Sequence, residues 1–263
     1  MCSTDGVHIR WDACPDGLNV LATGKEKYPT LSYSVTVGHN KCIYSSTASF
    51  LGAQNDLTTS RYDGFLNDIK NGKYDLVTYT LFDKDGIPYV VFGVWVLCDG
   101  GYHKWKFMQC PLSMAETELE GQWSRKMESM RKDVEGTFGI LKNRFRILKY
   151  GLRYPSQEAC DNVVFACMIL HNMLLQIDGL DKWEGVNSEW LEEYHHHEEI
   201  DALEEGLSER QRHILLGIGT EDGISFGFAP HRSDVTAEVE SEHAELRERL
   251  IITYDVIKRK IQS

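Results

Sequence analysis

Between Trp123 and Leu148 the residues Trp123, Met127, Met130, Val134, Phe138, Leu141, Phe145 and Leu148 recur at intervals of three and four. That rhythm matches 3.6 residues per turn and predicts one long amphipathic helix over 116–150, ended by Gly151 and Pro155. A single apolar stripe has to lie against another layer, and the preceding 110 residues supply strands. DGVHIRW (5–11) alternates, while LSYSVTV (31–37) and KCIYSSTA (41–48) are β-branched and aromatic, with Gly38-His39-Asn40-Lys41 as a hairpin turn between them. A short helix is expected at Leu57–Asn71. YVVFGVWVLCD (89–99) reads as one buried strand running into the turn Asp99-Gly100-Gly101. A second helix, apolar on most sides and hence buried, is predicted over Gln157–Ile177. A final amphipathic helix is predicted over 235–260, with Val239, Leu246, Leu250, Ile257 and Ile261 on one side. Strands and helices both occur, and an α/β class is expected.

The chain has 263 residues, 42% of them apolar and 11% aromatic, enough to fill a core and to exclude global disorder. Its formal charge of -12 excludes coating nucleic acid by bulk charge, so any nucleic-acid contact needs a local basic patch. Residues 121–153 provide one, with nine Lys or Arg against three Asp or Glu. Residues 178–209 carry twelve acids against Lys182 alone and read as a solvated, partly disordered connector. Seven cysteines with no CxxC pair form neither a disulfide framework nor a zinc motif. No uninterrupted apolar run reaches membrane-spanning length, and MCSTDGVHIRW is neither a signal nor a transit peptide, so a soluble intracellular chain is expected. His195-His196-His197 lie adjacent on the acidic stretch and do not converge as metal ligands. Asp83-Lys84-Asp85-Gly86 is a turn without the spacing of a calcium loop.

Three acids stand out by context. Asp5 opens an apolar-flanked strand, Asp99 ends the most hydrophobic run, and Glu135 lies on the long helix. Clustered carboxylates repel one another unless a divalent cation sits between them. Mg²⁺ favours such oxygens, and two ions about 3.5–4 Å apart can clamp the attacking and leaving oxygens of a phosphodiester. At helical offsets Arg131, Lys132, Gly139, Lys142 and Arg146 share the face of Glu135. Gly139 costs roughly 1 kcal/mol against alanine in mid-helix and removes bulk beside the glutamate. One acid, a gap and several cations suit a phosphate backbone.

These residues also carry a family resemblance. DGVHI (5–9), GAQND (52–56), CDGGY (98–102), VEGTFGILKNRFRIL (134–148) and ACMILHNML (166–174) resemble, in order and spacing, the Harbinger/PIF transposase family. The resemblance implies a ribonuclease H-like fold, a mixed sheet flanked by helices. It also implies a DDE endonuclease in which Asp5, Asp99 and Glu135 are catalytic and hold two divalent ions, Mg²⁺ or Mn²⁺, with Asp56 close by as a further candidate. Arg131, Lys132, Lys142 and Arg146 are then the DNA-backbone contacts. Tyr102, Phe138 and His171 match family positions with core roles expected. The family's threonine is Val7 here, its glycine before the second aspartate is Cys98, and its arginine after the glutamate is Gly136; none removes an expected ligand. Only four residues precede Asp5, so the upstream helix-turn-helix-like part is expected to be missing. The expected organisation is an N-terminally truncated nuclease domain over 1–177, an acidic connector over 178–234 and a C-terminal helix over 235–263. The resemblance further implies DNA and a separate Myb-like protein as partners, possible oligomers, and a nuclear location. The competing reading is a catalytically silent remnant that acts as an interaction module.

Overall fold

A computed structural model describes residues 2–179 and 237–262, the side chains of 237–240 and 262 excepted. The acidic connector, apart from its first two residues, and the triple histidine lie outside the described residues.

The expected mixed α/β architecture is present. Strands β1 (Cys2–Arg10), β2 (Thr30–Gly38), β3 (Ile43–Ser46) and β4 (Phe50–Leu51) are followed by helices α2 (Asp56–Tyr62) and α3 (Gly64–Lys70), a one-turn helix α1 (Asn19–Ala22) lying between β1 and β2. The hairpin β5 (Thr78–Phe82) and β6 (Pro88–Phe92) precedes β7 (Val96–Leu97) and β8 (Met108–Gln109). Helices α4 (Glu118–Arg144), α5 (Arg146–Tyr150), α6 (Gln157–Ile177) and, last of those described, α7 (Ala237–Gln262) complete the chain. The main sheet runs β3-β2-β1-β7-β8, with β4 also paired to β2. β1 is antiparallel to β2 and parallel to β7, and β7 is parallel to β8.

The period-two pattern of β2 divides the sheet into two chemically different faces. Leu31, Tyr33, Val35 and Val37 join Val7 and Ile9 of β1 in a core with Val134, Phe138 and Leu141 of α4 and Val164, Phe165 and Met168 of α6. The intervening Thr30, Ser32, Ser34 and Thr36 are equally buried and polar, and bond locally. Thr36 donates to Thr4 at 3.2 Å and Ser34 to the buried Asp63 at 2.7 Å. Asp63 also caps α3 by accepting from Phe65 and Leu66 N–H, so its burial is satisfied.

Capping chemistry explains several boundaries. Thr117 and Glu120 form a reciprocal capping box at the start of α4, and Ser156 caps α6, which begins at Gln157 as predicted. Asn172 of α6 both donates to and accepts from the backbone of Ile43, and Tyr33 donates to Asp161 at 2.8 Å, so α6 is clamped onto β2 and β3.

Five expectations need correction. The short helix expected at Leu57–Asn71 is two, because Asp63 in extended backbone ends α2 and caps α3. The apolar run 89–99 is not one strand: Gly93 has φ +99°, open to glycine and strained for other residues, and there the chain leaves the β5–β6 hairpin for the main sheet. The stripe 123–148 is not one helix, because Phe145 (φ −112°, ψ 89°) separates α4 from α5. α6 is buried on one side only; Ile169, Leu170, Met173 and Ile177 are exposed. By length and composition that 21-residue helix could cross a membrane, although its other face is packed into the core. Asp161, Asn162, His171 and Asn172 interrupt its apolar sequence. On α7 the buried line is His243, Leu246, Leu250, Thr253 and Val256, while Ile261 is exposed. That line packs against the hairpin and the first half of α4, with Leu246 and Leu250 beside Leu81, Trp123 and Met127.

Candidate active site

The sheet order sets the first two acids side by side. Ser3 of β1 pairs with Leu97 of β7 in parallel register, and two residues beyond that pair on each strand stand Asp5 and Asp99. Asp5 lies on the face of β1 turned toward α4 and is 19% exposed. Its Oδ1 accepts from Gly6 N–H at 2.8 Å, and its Oδ2 lies 3.3 Å from Nη1 of Arg131. Asp99 follows β7 in the turn Asp99-Gly100-Gly101, where its Oδ1 accepts from Gly101 N–H at 2.7 Å.

Asp56 arrives from the opposite face, at the first residue of α2 with Asn55 as the N-cap. It lies over Gly6, where a β-carbon would come within 3.0 Å of Asp56 Oδ1. Glycine beside the first acid thus makes room for another carboxylate. Burial pushes the Asp5 carboxyl up to about 6; Gly6 N–H and Arg131 pull against this, and the charges of Asp99 and Asp56 add to it. Asp56 is raised by burial and then by Asp99. The charge of Asp99 thus acts on both Asp5 and Asp56.

Glu135 joins through an intermediary. Its Oε1 lies 2.9 Å from Nη2 of Arg131, whose Nη1 meets Asp5, and Glu128 holds the same guanidinium from one turn earlier at 3.0 Å. Arg131 is only 11% exposed, whereas the Glu135 side chain is 48% exposed. One cation thus contacts three carboxylates.

Tyr102 lies beneath this group. Its hydroxyl is buried without a hydrogen-bond partner, and its acidity is weakened by burial and by Asp56, Asp5 and Asp99 among its neighbours. Its core position was expected from the sequence; its orphan hydroxyl facing the acids was not. Phe138 and His171 are core residues, as expected. His171 Nε2 donates to Lys41 carbonyl at 3.0 Å, leaving Nδ1 to face Arg144 at 3.4 Å.

The remaining candidate cations are dispersed. Lys132 is exposed on α4, and Lys142 donates to the His8 carbonyl at 2.9 Å. Arg146 opens α5 beyond the break at Phe145, so it does not continue the helical face of Glu135. Gly139 has open space where a side chain would stand.

The donor chemistry of Asp5, Asp56 and Asp99, hard carboxylate oxygens, is that preferred by Mg²⁺. Among the described residues, however, no three His, Cys, Asp or Glu side chains are placed to hold one metal ion. As the side chains stand, the acids do not fit a metal centre, and Arg131 lies between Asp5 and Glu135.

Comparisons with known proteins agree on a family. The chain is similar to the protein named "Putative nuclease HARBI1" from Bos taurus, 32% identical over 115 residues, which is 41% of this chain and 32% of the relative. The protein of the same name from Homo sapiens is 31% identical over 115 residues, again 41% of this chain and 32% of the relative. That from Mus musculus is 34% identical over 94 residues, 35% of this chain and 26% of the relative. The matched part thus spans about a third of these relatives' length. No solved structure matches. A family profile described as "Plant transposon protein" matches residues 1–181, well over half of the 263, and the chain belongs to that plant transposon protein family, of Harbinger type.

Proposed function

We propose that the chain is a transposase-derived, metal-dependent DNA endonuclease of ribonuclease H-like fold. The observation that carries this reading is the meeting of Asp5 and Asp99 across the parallel β1–β7 pair, with Glu135 reached through Arg131. Those acids come from the first strand, from the end of a strand parallel to it, and from the long helix that follows. The strand order β3-β2-β1-β7-β8, with only β2 and its partners antiparallel, is the frame such a nuclease needs. Asp5, Asp99 and Glu135 are the catalytic acids in this reading, Asp56 is an additional candidate ligand, and Mg²⁺ or Mn²⁺, two ions by family resemblance, is the cofactor.

DNA is the substrate, and the exposed Lys132 and Arg146 are the cations free of the acid cluster to meet its phosphates. Lys142 and Arg131 belong to the same candidate strip but contact the protein itself. The family resemblance extends the reading to a Myb-like partner protein, to oligomers and to a nuclear location.

A second reading, a silent chain that retains the fold as an interaction module, is favoured by the ion pairs of Arg131, which neutralise two of the acids. Incubating the full chain with supercoiled plasmid in Mn²⁺ or Mg²⁺ separates the two. Nicking that stops with chelator supports the nuclease; intact plasmid under all conditions, with the chain folded, favours the silent module.

A further inference from the structure

Resting on the nuclease reading, we propose that Arg131 is a tethered counter-cation that holds the place between Asp5 and Glu135 and must swing out before a divalent ion can enter. Its Nη1 lies 3.3 Å from Asp5 Oδ2, and its Nη2 lies 2.9 Å from Glu135 Oε1. Asp5 and Glu135 are two of the acids that would hold a divalent ion in the nuclease reading. A guanidinium does not give up its charge by deprotonation, so it leaves by moving rather than by titrating.

Glu128 is the tether. Arg131 Nε and Nη2 bond Glu128 Oε2 and Oε1 at 3.3 and 3.0 Å, a two-point contact within α4 that survives when Asp5 and Glu135 are released. Both glutamates are largely exposed, 40% for Glu128 and 48% for Glu135, whereas Arg131 is enclosed between them. The Tyr102 hydroxyl, which has Asp56, Asp5 and Asp99 among its electrostatic neighbours, is buried without a hydrogen-bond partner. Arg131 thereby explains why the acids can gather without a metal, and why they do not present a ready-made metal centre. It is a positioning residue, acting through the carboxylates.

The test uses the full 263-residue chain and Mg²⁺ alone. Binding is read by isothermal titration calorimetry, and Arg131 by its side-chain Nε–H resonance in ¹⁵N NMR, assigned by its absence from Arg131→Lys. Arg131→Gln should bind Mg²⁺ about tenfold more tightly, the scale on which one close charge biases a neighbouring carboxylate. Arg131→Lys, which keeps the charge, should return affinity most of the way to that of the unmutated chain. In the unmutated chain, saturating Mg²⁺ should move the Arg131 Nε–H resonance, a readout that does not depend on any variant of Asp5 or Glu135 folding. If Mg²⁺ binds and Asp5→Asn abolishes binding, yet the Arg131 resonance stays put and Arg131→Gln binds with unchanged affinity, the counter-cation is overturned and the nuclease reading stands. If Mg²⁺ binds neither chain, or binds regardless of Asp5→Asn, the nuclease reading falls and this inference with it.

Discussion

Lys142 of α4 donates to the carbonyl oxygen of His8 on β1 at 2.9 Å. The contact is the last of three that fix α4 alongside β1 in the same direction: Ser3 donates to the Met130 carbonyl, Asp5 meets Arg131, and His8 meets Lys142. The helix that carries Glu135 is therefore registered against the strand that carries Asp5 by polar contacts as well as by the core beneath. Burial lowers the Lys142 ammonium below its ordinary value, and nearby Glu26 partly offsets that.

Lys142→Met should therefore cost about 1.5–3 kcal/mol of stability, the scale of a hydrogen bond to a charged group. Lys132→Ala with Arg146→Ala, both exposed, should change stability by under about 1 kcal/mol. That double variant should instead weaken DNA binding and lower the logarithmic salt slope by roughly one per lost phosphate contact. Denaturant melts and gel-shift titrations at several salt concentrations check both halves. A salt slope unchanged in the double variant would remove Lys132 and Arg146 from the DNA path.

Asp5 predicts a pH signature. Its carboxyl titrates near 6 in the folded chain and near 4 when unfolded, so folding opposes its ionisation. The penalty is absent below about pH 4, grows between 4 and 6, and is complete above 6, where it reaches about 2–3 kcal/mol. Without divalent cations, Asp5→Asn should match the unmutated chain at pH 4 and exceed its stability at pH 7.5. Greater destabilisation at pH 7.5 than at pH 4 would show that the Arg131 contact outweighs burial.

How much of this was legible in the sequence depends on the range of the interaction that decides each feature. The β2–β3 hairpin followed from Gly38-His39-Asn40-Lys41 because a turn is local, and Gln157–Ile177 followed from the length of its apolar stretch. The run 89–99 misled because its hydrophobicity is continuous, while a single glycine at 93 divides it between two sheets. The break at Phe145 has no local breaker to announce it. Spacing places Glu128, Arg131 and Glu135 on one helical face, and that much could have been read. The Arg131–Asp5 contact joins residues 126 positions apart, and only the sheet order brings them together. Tyr102 was recognised as a core residue, but nothing in CDGGY tells that its hydroxyl lacks a partner.

That hydroxyl makes a prediction of its own. A buried, unpaired O–H carries an unrecovered desolvation cost of about 1–3 kcal/mol, so Tyr102→Phe should leave thermal stability unchanged or raised. Tyr102→Ala, which empties the site beside Trp105 and Phe107, should cost about 3–5 kcal/mol. Loss of stability in the phenylalanine variant would reveal a partner for the hydroxyl.

His243 should govern the docking of α7 in acid. Burial and the neighbouring Arg247 lower its imidazole to about 4. A histidine held neutral in the fold contributes stability that is complete above its unfolded value near 6.5 and is lost as pH falls toward 4. Chain stability should decline across that window by about 2–3 kcal/mol from this residue. His243→Gln should flatten the decline, as followed by tryptophan fluorescence during denaturation at pH 7 and pH 5. An equal slope in both chains would assign the acid sensitivity elsewhere.

The central claim is that Asp5, Asp99 and Glu135 work together on a phosphodiester. Its most direct test is the initial rate of plasmid nicking in Mn²⁺ by Asp5→Asn, Asp99→Asn and Glu135→Gln, each shown by circular dichroism and melting to be folded. Each variant should lose at least about a hundredfold in rate, the scale expected when one member of a catalytic set is removed, while Arg146→Ala retains cleavage at low salt. Folded variants at all three positions that nick at the rate of the unmutated chain would contradict the account.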